Sequence, residues 1–110
     1  MAYDEALAER IRNLTSGEPV VEKKMFGGLA FLLGGNMAVS ASGQGGLLVR
    51  VEPSETEALL REPGTGPMEM GGRGGMAGWL RVSPEVIADD DALATWVRRG
   101  LEYAGSLPPK

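Results

Sequence analysis

The sequence contains no cysteine and no histidine. The first absence excludes disulfides, thiolate metal sites and a cysteine nucleophile. The second removes the commonest general base, the commonest zinc ligand and any Ser-His-Asp triad. Chemistry in this chain would have to run on carboxylates, Lys, Arg, Tyr or Ser. Aromatic residues are scarce, with two each of Trp, Tyr and Phe. No window approaches the ~18 consecutive apolar residues that a bilayer-spanning helix requires. The start, Met1-Ala2-Tyr3-Asp4-Glu5, is acidic and unlike a secretory leader, so the expected compartment is the cytoplasm. A net charge of −4 gives no bulk field to hold nucleic acid. What is abundant is glycine, 17 residues in 110, about twice the usual share. The length fits one domain, whose folding buries roughly 65% of the chain's surface.

Hydrophobic spacing orders the elements. Tyr3, Leu7, Ile11 and Leu14 form one stripe of a helix over 3–15, with Asp4 and Glu5 at its positive end. Gly17 suits a left-handed cap, and Pro19 prevents continuation. A β-meander follows over 21–51. Val21–Phe26 is extended, and Gly28–Leu33 is apolar on both faces, as a central strand is. Gly34-Gly35 makes a tight turn, and Met37, Val39 and Ala41 alternate on the return. After a turn at Ser42–Gly46, Leu47, Val49 and Val51 share one face with Leu48 and Arg50 on the other. Ser54-Glu55-Thr56-Glu57 matches a capping box for a short helix over 53–61, anchored by Leu59 and Leu60. A second hairpin is expected from Pro67–Met70 and Ala77–Val82, joined by the glycine-rich stretch 71–75. Ser83-Pro84-Glu85 turns the chain, and Asp89-Asp90-Asp91 caps a last helix striped by Leu93, Trp96, Val97, Leu101 and Ala104. The order α-β(3–4)-α-β(2)-α implies an α+β fold: a two-layer sandwich with a mainly antiparallel sheet and helices on one face. Residues 1–107 are expected to form one domain, with 108–110 a tail.

Lys23-Lys24-Met25-Phe26-Gly27-Gly28-Leu29-Ala30-Phe31, followed by Gly35-Asn36-Met37, resembles the signature of the TfoX N-terminal domain (TfoX/Sxy) family. Leu48-Val49-Arg50-Val51, Pro67-Met68, Gly78-Trp79 and the helix ending near Leu107-Pro108 match in order, so the likeness covers essentially residues 1–107. The chain departs at Gly34-Gly35, where Asn-Gly is expected, and in the unusual glycine content of 71–75. The resemblance implies a fold similar to type III secretion chaperones and a non-enzymatic role. The family's named members regulate competence and carry a second, C-terminal domain; the expectation here is a stand-alone copy of the first. It supplies no catalytic residue, cofactor or metal.

Each candidate contact has a sharper and a plainer reading. Met25-Phe26-Gly27-Gly28 is either a partner contact or a bend between strands, with Met25 and Phe26 packed beneath the helices. Gly71-Gly72-Arg73-Gly74-Gly75 is either an anion cradle or RGG-like RNA contact through Arg73, or simply a hairpin loop. Lys23, Lys24, Arg50 and Arg81 form a basic stripe if their strands are neighbours; the plainer reading pairs them with Glu22 or Glu52 on a solvated face. The Asp triplet is either a hard-cation site or a cap. Trp79 and Trp96 read as core, whereas an exposed Trp79 would mark a binding patch. The favoured function is a regulatory module acting through protein–protein contact, as a homodimer. A nucleic-acid or polyanion-binding accessory using Lys23, Lys24, Arg50, Arg73 and Arg81 is the alternative.

Overall fold

A computed structural model describes residues 4–25, 27–43, 45–67 and 78–109. Tyr3, Phe26 and Arg73 therefore lie outside the described residues. Among those described, an antiparallel sheet of six strands is packed against helices. Helix α1 (Glu5–Leu14) begins on Asp4, whose carboxylate accepts from the amides of Ala6 and Leu7. Its exit differs from expectation. Thr15, not Gly17, closes it: the Thr15 amide and hydroxyl both donate to the Ile11 carbonyl. A side chain that can satisfy a terminal carbonyl removes the need for a left-handed glycine.

The meander forms in chain order as β1 (Val20–Met25), β2 (Gly28–Leu33), β3 (Asn36–Ala41) and β4 (Leu47–Arg50). Gly34 and Gly35 both take positive φ (63° and 82°), as a primed two-residue turn requires. A register shift after Phe31 leaves Ala38 as the extra residue of a bulge, because Phe31 faces Val39 while Leu32 faces Met37. The second hairpin, β5 (Thr65–Pro67) with β6 (Trp79–Val82), joins the meander through β6 and gives the order β1-β2-β3-β4-β6-β5. β5 starts two residues before the expected Pro67, and the rest of the expected strand to Met70 falls outside the described residues.

Two local readings need correcting. The capping box over Ser54–Glu57 does not form. Pro53 opens a 3-10 turn (Pro53–Glu55) one residue earlier, and α2 (Thr56–Leu59) follows with no side-chain cap. Proline's fixed φ suits the first position of a helical turn, so it sets the start ahead of Ser54. Ser83-Pro84-Glu85 is more than a turn: it leads into α3 (Pro84–Ile87).

Helix α4 (Asp90–Ser106) lies across β3 and β4 and also touches α1 and α3. Leu29, Phe31, Val39, Ala41, Leu47, Val49, Leu80 and Val82 occupy paired positions on one sheet face and meet Leu7, Ala8, Ile11, Leu93, Trp96 and Val97 in a single core. This is the α+β sandwich expected from the order of elements. Pro108 is held rather than loose, since its carbonyl accepts from the Asn36 side-chain amide at 3.0 Å. Asp89 caps α4 by accepting from the Ala92 amide at 2.9 Å. Asp89→Ala should therefore cost about 1 kcal/mol, read as a Tm lowered by roughly 4–8 °C. Asp91→Ala should stay within about 0.5 kcal/mol.

Candidate functional site

The sequence candidates distribute over three places. The first is the β1–β2 turn. Gly27 takes φ 76°, and a Cβ on Gly28 would lie 2.3 Å from the Ala41 carbonyl oxygen, so both glycines are required by the turn and by close approach to β3. Gly27 and Gly28 thus serve the hairpin closure. Met25 pairs with Gly28 and alternates with Lys24, placing it on the sheet face away from the core, not beneath the helices.

The second place is β1 itself. Lys23 and Lys24 are exposed, and they point to opposite faces. Lys23 pairs with Ala30, and Lys24 with Leu29 of the core face. The expected pairing of these lysines with Glu22 is not what forms. Arg12 of α1 takes Glu22 in a two-pronged ion pair (Nε–Oε2 2.6 Å and Nη2–Oε1 3.0 Å) and also reaches Glu9. Hydrogen bonding to Glu22, then to Glu9, raises the pKa of the Arg12 guanidinium above its ordinary value.

The third place is the β4–β6 end of the sheet. Arg50 lies directly opposite Trp79, and its guanidinium carbon sits 5.4 Å from the Trp79 ring centroid and 5.6 Å from that of Tyr103 on α4. This geometry is a cation held between two aromatic faces. Trp79 is half-buried and contacts Arg50, so reading it as core needs correction, whereas Trp96 is 3% exposed and does belong to the core. Trp79 alternates with Leu80, which takes the core-facing position on β6. Arg81 pairs across to Leu48, and its Nη1 donates to Ser42 Oγ at 3.2 Å.

These placements do not assemble the basic stripe. β2 and β3 stand between β1 and β4, so Lys23 and Lys24 are not strand neighbours of Arg50 or Arg81. Beside the Arg50 clamp lies a cleft of about 230 Å³, with Val51, Leu59 and Tyr103 as apolar surface and Glu52, Glu55 and Glu102 as carboxylates. It is smaller than the usual small-molecule site of ~300–1,000 Å³. The Asp triplet is used structurally, with Asp89 capping α4 and Asp90 bound to Arg10 at 2.8 Å. Among the described residues, no group of three or more acidic side chains is placed to hold a metal ion, and no helix is long and apolar enough to cross a membrane. Sequence reasoning missed Tyr103 and Arg12. Tyr103 joins Arg50 because α4 crosses β4, and no local motif encodes that crossing.

No curated protein matches the chain. The model of the TfoX N-terminal domain family matches residues 12–104, which include the β1–β2 turn, the Arg50–Trp79–Tyr103 clamp and the whole sheet. The chain belongs to the TfoX N-terminal domain family.

Proposed function

We propose that this domain is a non-enzymatic regulatory module of the cytoplasm that acts through protein–protein contacts, including contacts with a second copy of itself. The observation that carries this reading is the family match over residues 12–104, since the family suggests a regulatory, competence-associated module. The composition supports it, because a chain without His or Cys lacks the usual nucleophile–base pairs. Among the described residues, the disposition of the cations favours protein over nucleic acid. Lysines on opposite sheet faces and an arginine held between rings do not present the continuous positive track that a phosphate backbone requires.

Two measurements test the reading. Sedimentation velocity at rising protein concentration should show self-association. A titration against mixed DNA and RNA at low salt should show no binding tighter than millimolar. Tight, salt-dependent nucleic-acid binding would replace the module reading with the polyanion one.

A further inference from the structure

β1 is an edge strand: its inner side pairs with β2 along all six residues, and no strand of the described residues pairs with its outer side. Open edges are templates for another strand, and proteins usually blunt them with charge. β1 carries charge of both signs, in the sequence Val20-Val21-Glu22-Lys23-Lys24-Met25. It also holds Val21, 65% exposed and, with Leu14, one of two large apolar side chains left in water among the described residues.

We propose that β1 pairs antiparallel with β1 of a second copy, with Lys23 on the two-fold axis, extending each sheet into one continuous sheet. This rests on the self-association reading above and assigns its surface. Register arithmetic selects the pairing. In an antiparallel ladder, directly opposite residues share a face. A two-fold axis perpendicular to the sheet therefore allows only registers centred on a residue. Centring on Glu22 sets Glu22 against itself and Val21 against lysine. Centring on Lys24 sets Lys24 against itself and Lys23 against Met25. Centring on Val21 sets Val20 against Glu22. Centring on Lys23 sets Glu22 against the partner's Lys24 twice, and Val21 against the partner's Met25 twice. Among these, that register alone pairs opposite charges and also covers the exposed valine. Its cost is Lys23 facing its own copy. Glu22 is already oriented by Arg12 and is partly exposed, so its remaining lone pairs are open to an incoming ammonium. One strand per protomer is a small contact beside the ~1,200–2,000 Å² of stable interfaces, so dissociation should fall in the micromolar range.

The chain has no cysteine, which makes a single introduced thiol a clean ruler. Residues facing each other across an antiparallel two-fold have Cα atoms about 4.5–5.5 Å apart, within disulfide reach. Mild oxidation of the Lys23→Cys variant should give a covalent dimer. The Val21→Cys variant, whose two copies lie four residues apart along the ladder at about 13 Å, should not. By sedimentation, Lys24→Glu and Glu22→Lys should each weaken the dimer at least tenfold, and the double Glu22→Lys/Lys24→Glu variant should restore it. Circular dichroism confirms that each variant is folded. A dimer indifferent to both single reversals, or equal cross-linking at 21 and 23, overturns the β1 surface and leaves self-association standing. Weakened singles without rescue in the double overturn the register. A wild-type chain that stays monomeric at every concentration overturns both the surface and self-association.

Discussion

Phe31→Ala is expected to lower the unfolding free energy by about 3–5 kcal/mol, a large share of the ~5–15 kcal/mol that holds a domain of this kind together. Phe31 is 0% exposed and sits in the middle of β2, opposite Val39, in the core that includes side chains of α1 and α4. Truncation removes the ring's transfer free energy and leaves a cavity. Collapse into it is resisted from both sides. The β3 bulge begins immediately after the Phe31–Val39 pair, and α4 is seated on β3, so neither strand nor helix can move without breaking register. Urea unfolding followed by circular dichroism should show the loss as a shifted midpoint with an unchanged slope. A loss below about 1.5 kcal/mol would show that the site relaxes and that the core is not centred there. Val21→Ala is the control: with Val21 65% exposed, the change should stay within about 0.5 kcal/mol in the monomer.

The features legible in the sequence are those encoded within a few residues. The turns at Gly34-Gly35 and Gly45-Gly46 are visible because positive φ is a local demand that glycine meets, and all four residues adopt it. The period-two alternation of Leu47, Val49 and Val51 foretells which side of β4 joins the core, although Leu48 on the other side is buried as well. Asp89 is readable as a cap because its acceptor lies three residues from the donor. Local reading fails where two local rules compete. At Pro53 and Ser54 both a proline start and a capping box are written, and the backbone constraint of proline prevails. It fails again wherever function depends on which strands are neighbours. The insertion of β6 between β4 and β5 brings Trp79 to Arg50 and keeps both away from Lys23 and Lys24. The strand sequences are the same in either arrangement, so the basic stripe and the aromatic clamp are indistinguishable before the sheet order is known. The family signature survives this limit because it reports the whole arrangement at once.

Gly100→Ala should destabilise the domain although alanine is the better helix former. In an exposed helix interior the exchange gains about 1 kcal/mol. At Gly100, however, an added Cβ would lie 2.4 Å from the Ala38 carbonyl oxygen and 2.8 Å from Val39 Cγ1. The nearest atom is backbone at the bulge, and no rotamer change can clear it. α4 must lift from β3, loosening Trp96 and Val97 on one side and Ala104 on the other, all of them buried on the same stripe. Overpacking of this kind costs about 1–3 kcal/mol and occasionally more, so the clash should exceed the helix gain and lower Tm by several degrees. Gly100→Val, with two further methyl groups to place, should lose more again. Gly105→Ala, in the same helix, separates the two effects. Among the described residues its Cβ would meet only the Leu33 Cδ2 methyl at 3.3 Å, the tip of a half-buried side chain that can give way. That variant should be neutral or gain up to about 1 kcal/mol. If Gly100→Ala were as stable as Gly105→Ala by thermal melting, α4 would not be seated on the β3 bulge, and the close helix–sheet contact that positions Tyr103 over Arg50 would have to be redrawn.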